Sequence, residues 1–79
     1  MTHPRGGPGA PRVGAVTEFD DPRGLGVVRS DDGETFPFHC TAIADGSRTV
    51  EVGTRVVFTV APGHRGRYEA RSVTTLSVG

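Results

Sequence analysis

From Val13 onward, short runs of apolar and β-branched residues are separated by Gly, Asp and Pro at spacings of roughly 8 to 15 residues, and no stretch sustains a helical period. The pattern predicts strands near Val13–Phe19, Gly24–Ser30, Thr35–Cys40, Thr54–Ala61 and Arg67–Thr74. In the fourth, Val56, Phe58 and Val60 fall on one side and Arg55, Val57 and Thr59 on the other, so the first set is expected in the core. In the third, Phe36 and Phe38 share a face opposite Thr35, Pro37 and His39. In the second, Val28 faces inward while Leu25, Val27 and Arg29 point out. Asp31-Asp32-Gly33 is the predicted hairpin turn, because Asp-Gly supplies the positive φ that a tight turn needs. Five short strands leave costly open edges unless the sheet curls shut, so an all-β, five-stranded antiparallel barrel is expected. Gly24 and Gly26 fit either a sharp bend of the second strand or a bare surface beneath a ligand.

The flanks read differently. Residues 1–12 are rich in Gly and Pro and hold no large apolar side chain beyond the first Met, so they are expected to form a disordered tail. Arg5-Gly6-Gly7 within it is a fragment of the RGG composition of disordered RNA-binding segments, but a single copy is more commonly a plain linker. The domain is expected over residues 13–76, with a short C-terminal tail over residues 77–79. A domain of this size buries about 60% of the surface its unfolded chain exposes, which makes each core side chain count.

Charge and chemistry narrow the function classes. Nine basic and nine acidic residues cancel, which gives no general attraction to a phosphate polymer. All the basic residues are Arg, suited to stacking and to planar recognition, although a coding bias gives the same composition. The single Cys excludes an internal disulfide and no apolar run is long enough to span a membrane, so a cytoplasmic location is expected. Catalysis is not expected. His39 and Cys40 are neighbours on a predicted strand and should diverge to opposite faces, too far apart to act as a nucleophile and its base. His3, His39, Cys40 and His64 lack the spacing of zinc ligands, and neither metal nor cofactor is expected.

The order GAVTEF, RGLGVV, FPFHCTAI, VEVGTRVVFTV and YEARSVTTL resembles the cold-shock domain, an OB-type barrel. The resemblance runs from Val13 to about Leu76. It rests on Gly14 and Val16, the Arg-Gly-x-Gly frame at Arg23 to Gly26, the His-x-x-Ala-Ile run ending at Ile43, and the run from Gly53 to Val60. The resemblance implies binding of single-stranded RNA or DNA across aromatic rings of the second and third strands. Here the ring positions of that pattern fall on Glu18, Leu25, Val27, Pro37, Cys40 and Ser47, whereas Phe19, His39 and the positive charge of Arg23 are kept.

Base stacking on an aromatic ring is worth roughly 1 to 3 kcal/mol per base, so losing three stacked bases at about 1 kcal/mol each weakens binding by about a hundredfold. Glu18, Asp20 and Asp21 add negative charge where a phosphate-tracking groove is neutral or positive. The candidate nucleic-acid contacts are Phe19, Arg23, Leu25, Val27, Arg29, Pro37, His39, Arg65 and Arg67. His39 is suited to stack on a base or donate to phosphate, or is an ordinary half-exposed strand residue. Phe19 is a stacking ring or packs against the first hairpin. The arginines form a guanidinium-rich surface or are scattered solvated charges. The expected partner is single-stranded RNA or DNA, bound weakly or with altered preference. The alternative is a protein partner, or a second copy of the chain, on an apolar surface of Leu25, Val27 and Pro37.

Overall fold

The computed structural model describes residues 11–63 and 66–76, so His3, His64 and Arg65 lie outside the described residues. Five strands, β1 (Arg12–Asp20), β2 (Leu25–Ser30), β3 (Thr35–His39), β4 (Arg55–Pro62) and β5 (Tyr68–Thr75), form one antiparallel sheet in the order β3-β2-β1-β4-β5. Ile43 bridges to Val73, where the Ala44 N–H donates to the Val73 carbonyl at 2.8 Å, and this joins the segment after β3 to β5. The sheet is thereby curled into a barrel.

Each strand lies within one residue of its expected bounds, with two consequences at the ends. Arg12, expected to end the tail, opens β1 with its guanidinium 5.2 Å from the centroid of the Phe36 ring and 2.9 Å from the Glu34 carboxylate. At the other end of the hairpin, Cys40 leaves β3 and starts a single 3₁₀ turn over Cys40–Ala42.

Val28, Val56, Phe58 and Val60, expected inside, belong to a larger core. Val16, Val28, Phe36, Phe38, Ile43, Val56, Phe58, Val60, Ala70 and Val73 are buried, with the Phe36 and Phe58 rings tilted at 57° and 5.9 Å between centroids. Gly26 belongs to this interior as well. A Cβ there would lie 2.5 Å from the Phe38 ring and 2.9 Å from Phe19, so the bare position makes room for rings inside the barrel and is not a floor for a ligand.

The β2–β3 hairpin is tied down by polar contacts. Gly33, at φ +98°, makes the turn and donates its N–H to the Ser30 carbonyl at 2.9 Å. Asp32 accepts from the Ser30 hydroxyl and, at 3.1 Å, from the Glu34 N–H. Arg55 from β4 grips Asp31 with two bonds of 2.9 and 3.0 Å. The Arg55 bond holds the Asp31 carboxyl below its ordinary range, and the Ser30 hydroxyl does the same for Asp32.

Proline at the centre of β3 costs no hydrogen bond. The Cys40 N–H donates to Gly24 and the Ser30 N–H to Glu34, so the bonded pairs in this ladder are Gly26–Phe38 and Val28–Phe36. Pro37, opposite Val27, turns its missing N–H toward the open edge.

Candidate nucleic-acid interface

The outer surface of β1, β2 and β3 is built of three cross-strand rows. Register places Ala15, Arg29 and Thr35 in the first, Glu18, Val27 and Pro37 in the second, and Asp20, Leu25 and His39 in the third. Their common face follows from alternation against the buried Gly26, Val28, Phe36 and Phe38. Leu25, Val27 and Pro37 therefore form one contiguous apolar patch, with Leu25 46% exposed.

A β-bulge decides what borders that patch. Between Val16 and Glu18 the pairing with β2 skips a residue, and both Thr17 and Glu18 are exposed. The extra residue reverses the parity of the rest of β1. Glu18 and Asp20 then face outward beside Val27 and Leu25, while Phe19, opposite Gly26, turns in and stacks on Phe38 at 6.0 Å and 24°. Of the two roles open to Phe19, the geometry gives packing against the core. Among the described residues no aromatic ring other than the His39 imidazole stands in the three rows; the exposed Tyr68 belongs to the opposite hairpin, paired with Pro62.

His39 is fixed by the turn that follows it. Its Nδ1 accepts the Thr41 N–H at 3.3 Å and lies 3.0 Å from the Thr41 hydroxyl, which leaves the ring proton on Nε2 as a donor. The expectation that His39 and Cys40 diverge is corrected here. The chain leaves the strand at Cys40, alternation lapses, and the Cys40 Sγ comes to 3.9 Å from Nδ1. Nδ1 is already occupied by the cap on Thr41, so it does not serve as a base for the thiol. Among the described residues no group of three or more His, Cys, Asp or Glu side chains converges as a metal site requires. No helix among them is long and apolar enough to cross a membrane.

The arginines are dispersed. Arg23, in the β1–β2 turn, sits 3.8 Å from Asp20; Arg29 is exposed at one end of the rows; Arg67 is exposed beside β5, with its carbonyl accepting from the Gly63 N–H at 2.6 Å. No continuous positive track crosses the described face.

Where β3 approaches the β4–β5 hairpin, a groove of ≈ 500 Å³ opens between Leu25, Pro37, Phe38 and His39 on one wall and Pro62, Gly63, Glu69 and Arg71 on the other. None of the second wall is among the contacts expected from the sequence. Their signal was available in the parity of β5, since Glu69 and Arg71 flank the buried Ala70 and must face outward.

The family model of the 'Cold-shock' DNA-binding domain matches residues 12–76, which span all five strands and the three rows. The chain belongs to the cold-shock domain family. The Cold shock-like protein CspA of Vibrio cholerae serotype O1 is 34% identical over 66 residues, covering 81% of this chain and 93% of the relative. The solved structure of drosophila Unr CSD456 superposes with a TM-score of 0.71 over 87% of this chain at 24% identity, a likeness of fold; the chain spans 28% of that one. Nucleic-acid binding is the general activity of cold-shock domains, a class of binding modules and not of enzymes.

Proposed function

We propose that this cold-shock domain, spanning residues 12–76, binds single-stranded RNA or DNA weakly, on the outer face of β1 to β3. The observation that carries the reading is the three-row face itself. It keeps the family's surface while presenting Leu25, Val27, Pro37 and one imidazole where a ladder of rings would stand. Aliphatic side chains give bases contact area without a π face, and Glu18 and Asp20 repel phosphate along the β1 side. The contacts are Leu25, Val27 and Pro37 beneath bases and His39 Nε2–H as a donor. Arg23, Arg29 and the arginines of the β4–β5 loop neutralise phosphates. Phe19 acts by supporting Phe38 from inside. Fluorescence anisotropy with labelled oligothymidine and oligouridine at low salt tests this. Saturable binding that requires high micromolar protein is expected, and a flat titration up to millimolar protein would overturn it.

The second reading is a protein partner on the same face. What favours it is the continuity of the apolar patch and its acidic border of Glu18 and Asp20. A strict monomer by light scattering, with no partner recovered by pull-down, would count against it.

A further inference from the structure

We infer that the groove between β3 and the β4–β5 hairpin holds one guanine base of a bound single strand, read by the Glu69 carboxylate. This rests on the nucleic-acid reading above and adds to the three rows a second wall, supplied by the β4–β5 hairpin. At ≈ 500 Å³ the groove lies within the roughly 300–1,000 Å³ range of small-ligand pockets. Its apolar lining comes from Leu25, Pro37 and Pro62, and its polar groups are His39, Glu69 and Arg71. Single-stranded bases are commonly splayed out into such slots and read on their exposed edges.

The polar set selects among the bases. Glu69 is half-buried, and its carboxylate accepts hydrogen bonds only. Guanine alone presents two adjacent donors, N1–H and the N2 amino group, that one carboxylate can accept together. Its O6 and N7 acceptors remain for Arg71 or for the Nε2–H of His39, which the cap on Thr41 leaves as a donor. Adenine sets its N1 lone pair against Glu69, cytosine its N3 lone pair, and uracil or thymine flanks its single N3–H with two carbonyl oxygens. Arg71 stands 3.7 Å from Glu69, and half of its side chain is exposed, so their ion pair is weak enough to rearrange around a base.

The test is anisotropy on the full chain with labelled thymidine heptamers carrying one central guanine, adenine or hypoxanthine. Guanine should bind about tenfold tighter than adenine, in keeping with one bidentate contact, and hypoxanthine, which lacks the N2 amino group, should fall between them. Glu69→Gln should bring guanine to within about twofold of adenine. Equal affinity for guanine and adenine in the unmodified protein, or a guanine preference that survives Glu69→Gln, would overturn the assignment. Should the variant fail to fold, the hypoxanthine comparison on the unmodified protein decides: no loss on removing the amino group overturns the assignment. Binding without guanine preference removes the groove alone; absence of binding to every heptamer removes the nucleic-acid reading with it.

Discussion

Installing aromatic rings on the outer face of β1 to β3 should strengthen its binding of single strands. The variant carries Glu18→Trp, Leu25→Phe, Val27→Phe and Pro37→Phe. Three of these positions are neighbours in one cross-strand row and Leu25 stands in the next, so the new rings form a continuous surface. None of the four side chains is in the core; Glu18, Leu25 and Pro37 are exposed and Val27 is half-buried, so the substitutions leave the packing around Phe58 and Val28 intact. If three bases gain about 1 kcal/mol each, affinity for oligothymidine rises by about a hundredfold, and values nearer 2 kcal/mol per base would raise it by about ten-thousandfold. Removing the Glu18 charge adds to the gain. The assay is an anisotropy titration of parent and variant in the same low-salt buffer, with thermal melts showing that both fold. A folded variant whose affinity stays within threefold of the parent, taken here as about 0.7 kcal/mol, would refute the argument that stacking is what this surface lacks.

Three further outcomes follow from the structure. Gly26→Ala should lower unfolding free energy by about 1–3 kcal/mol in guanidinium titrations, because the new methyl meets the Phe38 ring at 2.5 Å; an unchanged midpoint would mean that the strand shifts freely. Binding of single strands should depend shallowly on salt. With Arg55 held by Asp31 and Arg71 by Glu69, the phosphate contacts proposed above are Arg23, Arg29, Arg65 and Arg67, so about four phosphates at most are neutralised and the log–log slope is no steeper than about −2.8; a slope beyond about −4 would contradict this. Asp31 and Asp32 titrate below their ordinary value of 3.8 in the folded domain, so their contribution to stability is present above that pH and is lost as pH falls through the lower folded-state values. Replacing both with Asn should flatten the decline of the chemical-denaturation midpoint in that acid window, and an unaltered acid profile would count against the hairpin contacts.

The strands were legible because their inward positions are mostly Val and Phe while their turns carry Asp-Gly and Gly, so period and punctuation agree. The faces of β2, β3 and β4 came out of alternation alone. The β1 end did not, because a bulge at Thr17 is invisible to a period-two reading: only pairing with β2 shows that Glu18 is outward and Phe19 inward. The nearness of His39 and Cys40 is hidden for a related reason, since the strand stops at His39 and alternation does not extend to Cys40. Gly26 was ambiguous in sequence because an empty position looks the same beneath a ligand and beneath a ring; Phe38 resolves it. The far wall of the groove depends on how closely β5 approaches β3, a contact between residues about thirty positions apart that no local pattern encodes.

The proline in β3 also bears on how the molecule behaves at high concentration. A short barrel that leaves one strand edge unsatisfied is a template on which neighbouring molecules can stack, and a ring without an amide proton at the middle of that edge interrupts the template. Returning an ordinary residue there supplies the missing donor. Chains altered at this position should therefore show a greater tendency to fibrillate, whatever they gain in grip on a ligand.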